Sequence, residues 1–236
     1  MIINDIAIIA SDTARTKAYI QMMCKEGFLP GACIVYTDDI KKMQEEADKY
    51  IDSETESTFF TLEAPVLYTI KKYNINFSIV ENRDINSDEM QKAIYGLEQK
   101  YIIYSGYGGS ILKAHLFNLG KKYIHVHAGV LPCYRGSTTA YYSIIQENNI
   151  GATAIFLSEG IDEGEIITSE VFERPAKGTN IDTLYEPYLR SLVLKKAIEL
   201  YLEQGIFKSV KQSSNDAQTY YIIHPVLKHL ALMSNK

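Results

Sequence analysis

Lys121-Lys122-Tyr123-Ile124-His125-Val126-His127-Ala128-Gly129-Val130-Leu131-Pro132-Cys133-Tyr134-Arg135-Gly136 is the stretch around which the chain is organised. It is answered further on by Glu159-Gly160-Ile161-Asp162-Glu163-Gly164-Glu165-Ile166. The first part reads as a strand that ends in a turn at Gly129, Leu131 and Pro132. Residues two apart on a strand share a face, so His125 and His127 point the same way. Two imidazoles that close repel when both are charged, and they titrate in coupled steps. Arg135-Gly136-Ser137-Thr138 then leads into a helix carrying Tyr141 and Tyr142. Asp162 lies in a glycine-flanked turn between two strand-like runs, 35 positions beyond His127. Such a turn can bring its carboxylate beside the histidines.

Upstream, apolar runs alternate with helical patterns. Ile6–Ala10 is a continuous apolar run, the signature of a strand covered on both faces. Ser11-Asp12-Thr13 offers N-cap chemistry for a helix to about Glu26. A strand over Ala32–Tyr36 precedes a charged helix over Ile40–Lys49, and residues 51–62 read as a surface loop. Pro65 starts a helix to about Lys72. A strand over Asn76–Val80 leads to Asn86-Ser87, which caps a helix over Asp88–Gln99. Tyr101–Tyr104 is a short strand that opens into Ser105-Gly106-Tyr107-Gly108-Gly109-Ser110, where a ligand can approach the backbone closely. Alternation at this spacing predicts an α/β fold with a mostly parallel sheet and helices on both faces. Ligands bind at the C-terminal strand edge of such sheets. The glycine loop and the His-rich segment both fall there.

Downstream, Thr153–Leu157 and Glu165–Phe172 are joined too closely for a crossover, so they form an antiparallel pair and the sheet is mixed. Pro175–Asn180 is a loop. Asp182–Glu203 is a long helix with Pro187 near its start. A Lys/Ser-rich turn, a strand over Thr219–Ile223 and a short apolar helix from Pro225 complete the chain. No linker divides it, so residues 1–236 read as one domain, with 206–236 packed on it as an extension.

Composition narrows the function classes. The 236 residues are 46% hydrophobic, enough for a sizeable core. A net charge of -5 argues against nucleic acid as a generic partner. Cys24, Cys33 and Cys133 contain no C-x-x-C and suggest no zinc or disulfide framework, which fits a reducing cytoplasm. The apolar N-terminus is short and contains Asp5, so it reads as a strand and not a signal peptide. No run approaches the roughly 18 apolar residues that mark a membrane helix, and no membrane partner is expected. No Gly-x-Gly-x-x-Gly follows the first strand, which removes the main support for a dinucleotide fold.

A His/His/Asp set suits acyl transfer. One imidazole donates to a developing oxyanion while the carboxylate sets its tautomer and basicity. No serine or cysteine is placed as a nucleophile, so direct attack by a substrate amine is the simplest scheme. Two other readings of the residues stay open: a structural histidine pair, and a metal-dependent hydrolase with His125, His127 and Asp162 as ligands.

The segment resembles the signature of the folate-dependent formyltransferases, the superfamily that formylates glycinamide ribonucleotide, methionyl-tRNA and amino sugars. Its pattern runs Asn-x-His-Pro-Ser/Gly-x-Leu-Pro-x-Tyr/Phe-x-Gly, followed about 35 residues later by an Asp in x-Asp-x-Gly-x-Ile. Here it reads Ile124-His125-Val126-His127-Ala128-Gly129-Val130-Leu131-Pro132-Cys133-Tyr134-Arg135-Gly136, then Ile161-Asp162-Glu163-Gly164-Glu165-Ile166. The resemblance covers about residues 70–175 well. It implies a Rossmann-like formyltransferase fold, N10-formyltetrahydrofolate as co-substrate and no metal. By position, His127 and Asp162 match the catalytic histidine and aspartate. His125 stands where the family has a catalytic asparagine whose amide donates to the formyl oxygen, and Ala128 replaces a proline. The resemblance places the co-substrate against Gly106, Tyr107, Gly108, Gly109, Ile111 and Leu112, with Glu159 and Gly160. In the implied scheme His127, with His125, stabilises the oxyanion, and Asp162 positions His127 and moves the proton. The His125 departure leaves room for a homologue that binds folate or a sugar without transfer.

Length and charge steer the acceptor away from tRNA, and Ala10-Ser11-Asp12-Thr13-Ala14 lacks the glycine-rich phosphate loop usual in glycinamide ribonucleotide enzymes. What remains resembles small bacterial amino-sugar N-formyltransferases of surface-glycan biosynthesis, with nonulosonic (pseudaminic-type) precursors among the acceptors. Arg135, Gly136, Ser137, Thr138, Tyr141 and Tyr220 are the candidate acceptor contacts, although Tyr141 and Tyr142 can equally pack their helix. Strands near the C-terminus would allow a homodimer.

Overall fold

The computed structural model describes residues 1–52, 57–213 and 216–233. The chain folds into two compact units, Met1–Ile124 and His125–Lys236. Residues 53–56 of the expected 51–62 loop and residues 214–215 of the expected Lys/Ser-rich turn lie outside the described residues.

The first unit runs β1 (Ile2–Ala10), α1 (Ala14–Lys25), β2 (Leu29–Thr37), α2 (Ile40–Lys49), α3 (Val66–Lys72), β3 (Phe77–Glu81), α4 (Asp88–Tyr95), β4 (Tyr101–Ser105), α5 (Ala114–Phe117) and the start of β5 (Lys122–His127). Its strands stand in the order β3-β2-β1-β4-β5, and every ladder is parallel. The apolar runs sit at its centre: Ile6, Ile8, Ile9, Ile102 and Ile103 have no solvent exposure. The helices start on the capping side chains that the sequence offers. Thr13 accepts from Thr16 N (3.3 Å), Asp39 from Lys42 N (2.8 Å) and Ser87 from Met90 N (3.2 Å).

Several boundaries differ from expectation, the start of β2 at Leu29 and not Ala32 among them, and one short helix was not expected. β1 begins at Ile2 and not Ile6, because its polar start, exposed at Asn4 and Asp5, still pairs with β2 across a register shift between Ile3 and Ala7. α4 ends at Tyr95 and not Gln99, where Gly96, a poor helix former, closes the last turn with its N–H on Lys92 O (3.0 Å). α5 has four residues, too few to show a helical period.

The second unit continues β5 and adds β6 (Arg135–Gly136), α6 (Thr139–Glu147), β7 (Asn149–Phe156), β8 (Ile166–Glu173), a π-helical turn (Ile181–Tyr185), α7 (Glu186–Gln204), β9 (Thr219–Tyr220) and α8 (Pro225–Met233). The seven-stranded order continues as β5-β7-β8, with β7 and β8 antiparallel. The sheet is thus mixed and mostly parallel, as the spacing of the runs predicts. Pro187 falls in the first turn of α7, where its missing N–H costs nothing, and the π turn capped by Asn180 precedes it. The strand expected over Thr219–Ile223 is only the pair Thr219–Tyr220, which joins β6 in a two-stranded ribbon.

Candidate active site

His125 and His127 close β5. His127 is buried, at 5% exposure. The chain beyond it curls back tightly. A Cβ on Gly129 would lie 2.8 Å from Tyr134 O and 3.0 Å from His127 Nε2, so only glycine fits there. The Leu131–Pro132 bond is cis. Thr153 on β7, fully buried, staples this turn: its hydroxyl donates to Gly129 O (2.7 Å) and accepts from Leu131 N (3.1 Å). The curl delivers Tyr134 O to His127 Nε2 at 2.6 Å.

Asp162 reaches the other ring nitrogen. It sits in the turn after β7 with φ +55°, a conformation that Asp tolerates better than most residues. Gly164 beside it lies against the Phe156 carbonyl with no space for a side chain. Asp162 Oδ1 is 3.3 Å from His127 Nδ1, and Oδ2 accepts from Gly136 N at 2.9 Å. Gln212 braces this turn from outside. Its amide donates to Asp162 O (2.8 Å) and Gly164 O (2.7 Å), and its oxygen accepts from Arg135 Nε (3.1 Å) and Nη2 (2.8 Å). Arg135 also pairs with Glu163 at 3.3 Å.

Burial pushes the His127 pKa down. The Asp162 charge pulls it up, the Arg190 cation adds to the downward push, and the net direction is down. A neutral ring carries one N–H. A carbonyl only accepts, so the 2.6 Å contact to Tyr134 O places that proton on Nε2. Nδ1 lies 3.3 Å from Asp162 Oδ1, within reach of a shared proton.

His125 is partly exposed and meets α7. The Arg190 guanidinium, on a residue 8% exposed, donates from Nε to Val126 O (2.6 Å) and from Nη1 to Glu186 Oε1 (2.8 Å). Its Nη2 lies 3.2 Å from His125 Nε2. Arg190, Thr153 and Gln212 escaped the sequence reading. The available signal was slight: the i,i+4 pair Glu186/Arg190 in the first turns of α7, on a helix that carries further charges from Lys195 onward.

The other expected acceptor contacts lie nearby in this unit. Ser137 is exposed. Thr138, at φ +54°, accepts from Ile223 N at 2.9 Å. Gly136 packs against Tyr220 O too closely for any Cβ. Tyr220 stacks on Tyr134 (5.4 Å, 17°) and tilts onto Tyr142 (4.5 Å). Tyr141 is buried in the cluster of Ala140, Ile144, Ile223 and Ala231, and its hydroxyl donates to Asp182 (2.7 Å). Burial first, then Asp182, raises its pKa. Glu159 is exposed, and Gly160 O lies 3.4 Å from Ser158 Oγ.

In the first unit, the glycine loop hangs from a polar knot. Ser105 O accepts from Ser11 N (3.1 Å) and Thr16 Oγ1 (2.9 Å), and Arg15 donates to Gly106 O (2.5 Å). A side chain on Gly106 would run into the hydroxyls of Tyr36 and Tyr104. Tyr107 N donates to Tyr36 Oη (3.1 Å), and Arg83 lies 4.4 Å from the centre of the Tyr107 ring. Gly108 and Gly109, the latter at φ +79°, have open space where a Cβ would be. Ile111 is exposed and Leu112 buried, and Asn86 pins the loop's exit through Ile111 O (2.9 Å) and Lys113 N (2.8 Å). Among the described residues, no group of three or more His, Cys, Asp and Glu is arranged to hold a metal, and no helix is long and apolar enough to cross a membrane.

Comparison with known proteins adds a family match. The formyl transferase family model matches residues 4–187. The methionyl-tRNA formyltransferase of Nitratiruptor sp. is 28% identical over 122 residues, which are 50% of this chain and 39% of the relative. That of Finegoldia magna is 25% identical over 165 residues, 68% of this chain and 52% of the relative. The chain thus spans roughly half or less of these curated relatives. Among solved structures, the sugar 3N-formyl transferase WlaRD, in the presence of dTDP and 5-N-formyl-THF, superposes with a TM-score of 0.57 at 23% identity, covering 92% of this chain and 69% of its own. A Helicobacter canadensis N-formyltransferase in complex with folinic acid and dTDP-3-aminofucose gives 0.57 at 18%, covering 93% and 71%. The Streptococcus pneumoniae phosphoribosylglycinamide formyltransferase gives 0.59 at 16%, covering 86% and 100%. At such identities the likeness is one of fold, and the fold is the Rossmann-like one these proteins share.

Proposed function

The chain belongs to the formyl transferase family, and from that premise we propose that it transfers a formyl group from N10-formyltetrahydrofolate to the amine of an amino sugar. The observation that carries this reading is the buried His127–Asp162 contact at 3.3 Å, with His125 two residues away on the same strand. The proposal keeps these three as the catalytic residues but departs from the implied scheme at His127, whose Nε2 is taken up by Tyr134 O at 2.6 Å and which therefore handles the proton and not the oxyanion.

When bound, the co-substrate supplies an electrophilic formyl carbon and a nitrogen that departs once protonated. The glycine loop suits its flat ring: no side chain stands over Gly108 or Gly109, and the neighbouring backbone is held by Tyr36 and Asn86. Gly106, Tyr107, Ile111 and Leu112 would line the same loop; Glu159 and Gly160 are proposed as further co-substrate contacts. An N–H of His125 donates to the formyl oxygen as charge builds there, the part played by the family's asparagine amide. His127 keeps its Nε2 proton on Tyr134 O, so Nδ1 and Asp162 Oδ1 face each other as acceptors. That pair takes the proton the attacking amine sheds, and the proton comes to bridge Nδ1 and Oδ1. It then passes to the departing nitrogen, and the pair ends the cycle as it began.

Two likenesses support a sugar acceptor: the WlaRD and Helicobacter canadensis proteins, whose structures carry dTDP and a dTDP-amino sugar. Arg135, Ser137, Thr138 and Tyr220, beside Gly136, line the proposed acceptor side, and Tyr141 supports it from beneath. The test is an assay of the full chain with N10-formyltetrahydrofolate and several amines. These are dTDP-3-amino and UDP-4-amino sugars, glycinamide ribonucleotide and methionyl-tRNA. Formylation of an amino sugar is expected. Formylation of methionyl-tRNA alone would overturn the acceptor, and no transfer together with no folate binding would overturn the activity.

A further inference from the structure

We propose that the outward face of α8 is a self-association surface, on which the same face of a second copy of this chain packs about a two-fold axis. The inference goes beyond the formyl-transfer reading and does not depend on it, because it concerns residues with no part in that chemistry.

α8 (Pro225–Met233) is anchored to its unit by a narrow side. Of its residues only Ala231 is buried. Ala231 belongs to the cluster of Tyr141, Ile144 and Ile223, and its carbonyl accepts from Arg174 Nη2 at 3.1 Å. One turn earlier, Lys228 pairs with Asp182 at 2.6 Å and lies 4.7 Å from the centre of the Tyr141 ring. Residues three apart share a helix face, so these two fix the side that looks inward. The other side carries Val226, Leu230 and Met233. Their spacing of i, i+4 and i+7 is the apolar stripe of an amphipathic helix, which ordinarily faces a core. Here they are 59%, 53% and 49% exposed. Turning the helix to bury them would expel Ala231 and break the Lys228–Asp182 contact. Tyr221 and Ile222, just before the helix, are each 80% exposed.

The size and shape of this face fit a second copy. Together with Leu227, these residues leave open the equivalent of three to four large apolar side chains. That is on the order of 500 Å² of apolar surface, at roughly 150 Å² for each. A stable interface takes about 800 Å² from each partner, and about two-thirds of it is apolar in homodimers. The face therefore supplies the apolar share that a dimer needs. The stripe also complements itself. Two antiparallel copies of α8 about a two-fold axis set Leu230 beside its own counterpart and Val226 of each copy against Met233 of the other. α8 contains no Asp or Glu, so no carboxylates are brought together. A helix that lies on a membrane surface is instead rich in Lys and Arg on its polar side. α8 has one lysine, and Asp182 holds it.

The test is sedimentation equilibrium of the full chain over the micromolar range, where a dimer is expected. Leu230→Glu sets two like charges at the proposed axis and should weaken association by about 100-fold or more, leaving a monomer with an unchanged circular-dichroism spectrum. Tyr95→Glu, which alters a comparably exposed side chain on α4, should leave the dimer intact. In Leu230→Cys, a short bismaleimide should join two copies through position 230, as read by peptide mass spectrometry. Should Leu230→Glu fold poorly, Met233→Glu repeats the test at the end of the same stripe. An unmodified chain that stays monomeric would overturn the inference. So would a dimer that persists in well-folded Leu230→Glu, or one whose copies are joined only elsewhere. A monomer that co-sediments with phosphatidylcholine/phosphatidylglycerol vesicles, and loses them in Leu230→Glu, would assign the face to lipid and overturn it as well. None of these outcomes bears on formyl transfer, which is read separately in the amine assay.

Discussion

His125 and His127 lie two residues apart on one strand, yet their surroundings differ. Arg190 Nη2 meets His125 Nε2 at 3.2 Å, whereas His127 lies between Tyr134 O at 2.6 Å and Asp162 Oδ1 at 3.3 Å. If His127 and Asp162 handle one proton together, removing either should disable both. His127→Asn and Asp162→Ala are each expected to lower single-turnover formyl transfer by about 100- to 10,000-fold. The double variant should be little worse than either single one, because residues acting as a unit are not additive. Rates near the unmodified level in either variant would remove the assignment. The pairing of these residues was legible in the motif and its spacing. Which nitrogen meets which partner was not, because a tautomer is set by atoms that approach from elsewhere in the chain.

At the scale of the element, the turn from Gly129 to Tyr134 is shaped by a neighbour on another strand. Thr153 satisfies one donor and one acceptor of that turn, both in buried surroundings. Thr153→Val keeps the shape of the side chain and removes both hydrogen bonds. It is expected to cost about 1–3 kcal/mol in urea unfolding, because buried polar groups are left unpaired. Turnover should fall as well, since Tyr134 O would no longer be held against His127. A variant as stable and active as the unmodified chain would count against the staple. In sequence, Thr153 reads as one more β-branched strand residue, and nothing local marks its hydroxyl. The same limit explains the misjudged boundaries. Patterning locates α4 and β9 well but overruns their ends, where a glycine cap or the lack of a pairing partner stops them. The four-residue α5 and the π turn before α7 have no periodicity long enough to read.

At the scale of the whole molecule, the lowered pKa of His127 couples stability to pH. The unfolded chain protonates this ring as pH falls through about 6.5, whereas the native one, kept neutral chiefly by burial, takes up that proton only at lower pH. Between those two values the unfolded state binds the extra proton. The contribution of His127 is therefore complete above about 6.5 and declines as pH falls toward the native value. Urea unfolding from pH 8 to pH 5.5 should show stability decreasing on acidification, and His127→Asn should flatten that part of the curve. An unchanged slope in the variant would locate the dependence in other groups.

The amino-acid sequence by itself determined the α/β class, the mostly parallel sheet with an antiparallel pair and the family, and it brought forward His125, His127 and Asp162 as the candidate set. All of these are written in local periodicity and in the spacing of chemically distinctive side chains. Tertiary structure alone decided how the set is wired. Arg190 stands 65 positions from His125, Gln212 stands 50 from Asp162, and Thr153 stands 22 from Leu131. No local period links such residues. Whether a buried donor finds an acceptor depends on how separate elements pack, and at this site that packing brings Arg190 to His125 and Tyr134 O to His127.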